Sequence, residues 1–534
     1  MSNFPFLLLL TLVPLVGAVV VAVMGRDRAN EESAKKTAVG FGFIELALAI
    51  WMFVSFDPDG ERLQFVTSVN WIGPLGVKFA LGADGIALMM IVLIALLVPL
   101  VMIASWQRES LGDDVNEPGS ADPDRAPAGT RAQMFAWILL LEVFLVVVFA
   151  ATDVFLFYVA FEAMLIPTYF LIGGYGSSQR RGAATKFIIY SLVGGLIMLA
   201  SVIGLYVVSK DQLGKPNFDW TALQGLDIPA STQTWLFFGF FIAFAIKAPL
   251  VPLHTWLPKS GGEAPVGVGV LLVGILDKVG TFGFLRYCLS LFPEASQRWA
   301  PLVLVLAVVG IIYGAFQAVG EQDMKRLVTY TSIAHFGFIA LGIFAFTTQA
   351  GTGAVLYMFN HGIATGMLFL VVGMVIARGG SRRVNDYGGI FVVAPWLAGF
   401  FFLAGLASLA LPGTNSFVSE FLVLLGSFGT EPVFTIIATI GFVFAAIYVL
   451  WLVQRTLHGP KSLLVQERSK FFGDLSKREI GILTPLVALI FILGVYPQPV
   501  LNVINPAVEA TLQNDVGIPD PGAPPYADKN GGGQ

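Results

Sequence analysis

The sequence predicts an all-α polytopic membrane protein with about fourteen transmembrane helices. Three observations point there. Of 534 residues, 56% are hydrophobic and only 12% are charged, where a soluble domain carries about 25% charged residues. The mean hydropathy is +0.78. Runs of about 20 apolar residues, enough to cross a bilayer as a helix, recur along almost the whole chain. Finally, Lys and Arg gather in alternate connecting segments, as the positive-inside rule requires of a multi-pass protein.

The predicted spans cover 4–24, 38–56, 80–105, 133–151, 153–175, 185–208, 233–250, 263–290, 300–319, 326–347, 352–377, 393–427, 432–454 and 480–504. The first resembles a signal peptide in position. It lacks a basic start, and its apolar run is long enough to span, so it reads as a retained helix with its N-terminus outside. With that orientation the inner segments hold 22 of the 31 Lys and Arg and the outer ones seven. Lys247 and Lys278 are left within the membrane.

Two spans are interrupted. FAIKAPLVPLHTWLP contains Pro249 and Pro252, and ASLALPGTNSFVSEF contains Pro412 and Gly413. Proline removes a backbone donor and clashes with the preceding turn, so helices 7 and 12 should break. The two breaks lie five spans apart, and a five-span shift reverses membrane orientation. The expected organisation is therefore an N-terminal unit of three helices with an acidic inner loop (1–132), a first inverted five-helix repeat (133–290), a second (300–456), a last helix (480–505) and a disordered outer tail (506–534). Broken helices at matching places in inverted repeats point to an ion site.

Composition also excludes classes. One cysteine, Cys288, cannot hold an iron–sulfur cluster or form an internal disulfide. There is no P-loop and no Gly-rich dinucleotide fingerprint after a strand. No basic stripe suggests nucleic acid. Metal binding is a weak alternative, since the histidines stand on different spans without an i, i+4 pair.

The candidates for chemistry are charged or titratable groups at membrane depth, where such groups are costly and mark ion paths. Glu162 in FYVAFEAMLIP has no local cation, and Lys247, beside the first break, is its natural partner. They form either a working acid–base pair or a fixed ion pair between helices. Lys278 lies in the middle of GVGVLLVGILDKVGTFGF as a candidate relay. Its alternative is neutralisation by Asp277, a poor pairing because adjacent helical residues point about 100° apart. Glu420 opens the half-helix after the second break, as a proton carrier or a cap. His335 and His361 are candidates to bridge between these groups, and His254 a further one. Glu142 is open between a second acid and a helix partner, Lys186 can snorkel, and Asp84 and Asp153 read as helix N-caps. Glu45 has no evident mate.

The runs AIKAPLVPLHTWLP, GILDKVGTFGFLR, MKRLVTYTSIAHFGF and LALPGTNSFVSEF resemble the antiporter-like membrane subunits of respiratory complex I and of Mrp cation/proton antiporters, over about 40–505. Glu420 in place of the usual lysine sets it among the complex I members and against the Mrp alternative. The resemblance implies a proton-translocating, multi-pass subunit of a bacterial plasma (inner) membrane. It implies neighbouring membrane-arm subunits and lipids as partners. FMN, iron–sulfur clusters and quinone would sit in partner subunits, with no cofactor and no metal in this chain. It makes Glu162 and Lys247 the pair of the first half-channel, Lys278 the central relay, His335 the link to Glu420, and His254 and His361 histidines on the axis. The family's WLPDAH pattern is here Trp256, Leu257, Pro258, Lys259, Ser260, Gly261, so its second histidine is replaced by Gly261.

Overall fold

The computed structural model describes residues 4–113, 115, 128–469 and 472–518. Most of the acidic loop and the tail from 519 lie outside the described residues.

The chain starts with α1 (Phe6–Met24) and α2 (Glu31–Ser55). An antiparallel hairpin follows, β1 (Gln64–Ile72) and β2 (Val77–Ala83), with Asn70 opposite Lys78. It corrects the predicted start of the third span. Residues 80–83 finish a strand, and α3 begins only at Gly85 (Gly85–Ala104). The signal was present in QFVTSVNWI, rich in β-branched and aromatic residues, followed by a Gly-Pro-Leu-Gly turn. Asp84 sets the boundary: its carboxylate accepts the Ala87 N–H at 2.9 Å. It also pairs with Arg286 at 2.8 Å, both side chains almost fully buried.

Next come α4 (Arg131–Ala150), α5 (Val154–Ala163), α6 (Leu165–Tyr175), α7 (Arg180–Leu213) and the short α8 (Trp220–Gln224). Asp153 caps α5 by accepting the Phe155 and Leu156 N–H groups at 2.9 Å. Its other oxygen accepts the Lys78 N–H at 2.9 Å, which ties the hairpin to the bundle. Both expected N-caps are present.

The first broken segment is α9 (Ala230–Lys247), a non-helical stretch 248–255, and α10 (Trp256–Glu263). Residues 256–263, expected in a connecting loop, are instead a buried helical turn pair. A continuous span then runs through α11 (Val266–Leu271), a π-helical stretch Leu272–Leu276, α12 (Lys278–Gly283) and a second π-helical stretch Phe284–Leu289.

After α13 (Pro293–Gly320), α14 (Met324–Phe344), α15 (Thr348–Gly379) and α16 (Ile390–Val393) comes the second break. Here α17 (Pro395–Ser408) stops, residues 409–414 cross without helix, and α18 (Asn415–Phe428) resumes. Both interruptions fall on the prolines that predict them.

The chain closes with α19 (Pro432–Leu457), α20 (Leu463–Glu467), α21 (Lys477–Val495) and α22 (Gln498–Glu509), which runs into a π-helical stretch Ala510–Val516. The last predicted span therefore ends near Val495, where Pro497 stops it. Residues 506–516, expected to be disordered, are helical. Val500, Val503, Ile504, Ala507 and Val508 bury one stripe of α22, at the spacing of an amphipathic helix.

Among the described residues, twelve helices are long and apolar enough to cross a membrane. The most enclosed are the 266–289 span, α14 and α15, followed by α3 and α4, while α2 and α21 expose most of their apolar side chains. Lys278, His335 and His361 thus stand on helices enclosed by others.

Candidate functional site: a buried line of acids, lysines and histidines

The first group forms around the end of α9. Lys247 is the last residue of α9 and is completely buried. Its ammonium donates to Ser191 Oγ at 3.3 Å and lies 4.9 Å from the Phe187 ring centre and 5.4 Å from that of Phe161. Glu162 comes from the last turn of α5. Its carboxylate lies against α7 where Gly195 leaves room, because a Cβ there would overlap the Glu162 oxygens. Ser191 and Gly195 are four residues apart on one face of α7. Lys247 and Glu162 thus address the same strip of α7 from two sides and interact electrostatically. They make no ion pair within 4 Å, so a locked salt bridge, one of the two readings of this pair, is not what the structure holds.

The second group runs across four helices. Lys278 opens α12 directly after a π-helical stretch, a distortion common at functional sites. Its ammonium donates to the Val273 carbonyl and shares a 2.6 Å hydrogen bond with His361 Nδ1 on α15. It also lies 5.2 Å from the Phe336 ring centre. Asp277 is not its hydrogen-bond partner. The ring of His361 is 5.2 Å from that of His335 on α14, and His335 is 5.7 Å from the Tyr357 ring. The Tyr357 hydroxyl donates to Glu420 Oε1 on α18. The line is therefore Lys278, His361, His335, Tyr357 and Glu420, all nearly or wholly buried.

This order refines the sequence reading in two ways. His361, not His335, is the direct neighbour of Lys278. Tyr357, missed in the sequence, joins His335 to Glu420. A signal existed: Tyr357 precedes His361 by four residues in YMFNH and so shares its helix face.

The second break is clasped beside this line. Asn360 Nδ2 donates to the Asn415 carbonyl at 2.8 Å, and Asn415 Nδ2 returns a bond to the Asn360 carbonyl at 3.2 Å. The clasp fixes the first turn of α18, and with it Glu420, against α15.

His254 lies apart. It sits in the first break, with its ring 4.8 Å from Tyr313 and Lys186 as its charged neighbour. The next residue, Thr255, bonds the Tyr190 hydroxyl at 2.8 Å. Gly261, where the family pattern has histidine, packs against α14 so closely that a Cβ would overlap the Thr329 methyl. A histidine there requires a different helix spacing. Glu45 and Glu142 are both buried, on α2 and α4, and interact with each other. Neither carboxylate has a hydrogen-bond partner among the described residues, so Glu45 has no mate in the structure either.

A polar network also missed in the sequence closes one end of the bundle. Arg382 pairs with Asp323 at 2.7 Å, lies 3.7 Å from Glu263, and donates to the Gly262 carbonyl at 2.6 Å and to Ser177 Oγ at 3.2 Å. Ser177 in turn donates to Glu263 at 2.6 Å. This joins the end of α10 to the start of α14.

Among the described residues no three His, Cys, Asp or Glu side chains are grouped as metal ligands.

Comparison with known proteins agrees with this architecture. Residues 151–445 match the family model described as NADH:quinone oxidoreductase/Mrp antiporter, transmembrane. A relative from Mycobacterium tuberculosis named NADH-quinone oxidoreductase subunit M is 46% identical over 541 residues, covering 98% of this chain and 96% of its own. A chain in the structure of respiratory complex I from Thermus thermophilus with bound NADH superposes with a TM-score of 0.82 at 30% identity, over 95% of this chain and 99% of that one. A chain of the Mrp complex from Dietzia sp. shares the fold, with a TM-score of 0.80 at 19% identity over 96% and 99%.

Proposed function

This chain belongs to the NADH:quinone oxidoreductase/Mrp antiporter membrane-subunit family, and on that premise we propose how its buried line works. Its role is that of a proton-translocating subunit in the membrane arm of NADH:quinone oxidoreductase, beside other antiporter-like subunits. We take it to be a non-redox subunit of this translocase. Its part is to move protons, and the FMN, iron–sulfur and quinone chemistry belongs to its partners.

Glu162 and Lys247 act as the switch. Lys247 is most basic when the Glu162 carboxylate is near and charged. When charge in a neighbouring subunit draws Glu162 away, the buried ammonium gives up its proton. One pKa unit corresponds to about 1.36 kcal/mol, and moving one charge across 100 mV costs about 2.3 kcal/mol. A change of about two units thus offsets a typical membrane potential. The proton reaches Lys278 and then passes along His361, His335 and Tyr357 to Glu420. The observation that carries this reading is the row of buried titratable side chains from Lys278 to Glu420 across four helices, hydrogen-bonded at its two ends and in ring-to-ring approach at His335, ending beside a broken helix. His254, with Lys186, serves the first break as a side branch.

The same reading takes 133–290 and 300–456 as two inverted five-helix repeats within fourteen spans, supported by breaks at corresponding places. It places the N-terminus outside the plasma membrane of a bacterium, supported by the Lys/Arg bias. The likeness to the Mrp complex is one of fold, and Glu420 distinguishes this chain from that alternative. The test is the proton-to-electron ratio of the assembled complex carrying Lys247→Ala. A loss of pumping with assembly intact is expected, and an unchanged ratio overturns the reading.

A further inference from the structure

Between the two groups just described lies a titratable side chain that neither uses. Asp277 is completely buried in the middle of the 266–289 span, and neither carboxylate oxygen has a hydrogen-bond partner. An unpartnered carboxyl in such a place is costly and calls for a reason.

Its placement supplies one. Asp277 and Gly280 are three residues apart and so share a helix face. That face presses on the end of α9: a Cβ at Gly280 would meet the Ala248 nitrogen and the Phe244 oxygen at 2.5 Å. Ala248 follows Lys247 directly. The cations in electrostatic reach of Asp277 are Lys278 and Lys247. Lys278 spends its hydrogen bonds on Val273 and His361, not on Asp277. Of the other elements packed here, α4 carries Glu142 at mid-length, α3 and α11 carry no charge inside, and Arg286 is bound to Asp84. Asp277 is thus the anionic group that faces both lysines.

We propose that Asp277 is a proton carrier between Lys247 and Lys278. The Lys247 ammonium loses a proton, directly or through water, and the Asp277 carboxylate becomes a neutral acid. The acid then protonates the Lys278 amine and returns to carboxylate. No charge is left stranded between the lysines at either step. The inference rests on the relay reading above and adds the link between its two groups.

The test uses the assembled complex in native membranes with Asp277→Asn, Asp277→Glu and, as reference, Lys278→Ala. NADH-driven proton translocation, its pH profile and NADH oxidation with an artificial acceptor are measured together. Asp277→Asn should slow translocation about tenfold or more, the lower range for losing one proton-transfer group. It should also change the pH profile and leave acceptor reduction intact, while Asp277→Glu restores most of the rate. If Asp277→Asn does not assemble, Asp277→Leu, which suits an apolar span, is read in the same way. Full translocation with an unaltered pH profile in the Asn or Leu variant, while Lys278→Ala is impaired, overturns the role of Asp277 alone. Full translocation in Lys278→Ala as well overturns the relay reading itself.

Discussion

Lys278 Nζ and His361 Nδ1 share a 2.6 Å hydrogen bond between two helices that are both screened from lipid. The lysine already donates to a backbone carbonyl from its own π-helical turn, and among the described residues the imidazole is its titratable hydrogen-bond partner. The hydrogen bond gives a proton on Lys278 a direct route to His361.

His361→Leu should therefore slow NADH-driven translocation by about tenfold or more while the subunit still assembles, since leucine fits an enclosed apolar helix. His361→Gln, which keeps a polar atom for water, should fall between the two. Vesicle acidification rates normalised to complex content check this; equal rates in all three would remove His361 from the path.

Tyr357→Phe deletes only the hydroxyl that donates to Glu420. Loss of that bond should cost about 1–3 kcal/mol of stability and lower translocation without changing electron input. Thermal unfolding of the purified subunit assembly and the proton-to-electron ratio are the two readouts. A stability loss with a normal ratio would leave Tyr357 as a structural residue only.

Gly195→Ala tests the first group without touching a titratable residue. The added methyl overlaps the Glu162 carboxylate and must push it from the strip that it shares with Lys247. Translocation should fall toward that of Glu162→Gln. Gly40→Ala is the control, because nothing lies within 4 Å of a Cβ at Gly40, and it should behave as the unsubstituted protein.

Arg382→Ala should act on assembly and not on transport. It removes the guanidinium that Asp323 and Glu263 share, and breaking a buried pair costs about 3–5 kcal/mol. Lower complex content in membranes, with normal translocation per assembled complex, is the expected pattern.

The sequence carried much of this account, and its limits are physical. Proline and glycine within apolar runs located both helix breaks, since a missing donor is a local fact. Charges at membrane depth located Glu162, Lys247, Lys278 and Glu420, since bilayer cost is also local. The hairpin was legible in QFVTSVNWI but was masked by the apolar run that follows it. The amphipathic α22 was masked because its apolar stripe continues from a spanning helix across Pro497. Which groups meet across helices was not legible. The order of His361 and His335, the nearness of Glu45 to the like-charged Glu142 and the Arg382 network depend on helix rotation and spacing, which no single run encodes. Asp277 shows the same limit: helix geometry argues against a hydrogen bond to Lys278, and none is made, but only tertiary packing brings Lys247 into its electrostatic reach.

The most direct test of the central claim is the number of protons translocated per electron by complex assembled with Lys278→Ala, measured in sealed vesicles with NADH as donor. The account predicts a reduced ratio, or translocation lost together with turnover, in a complex of normal subunit content. A full ratio at a normal rate would contradict it, because the line from Lys247 to Glu420 runs through Lys278.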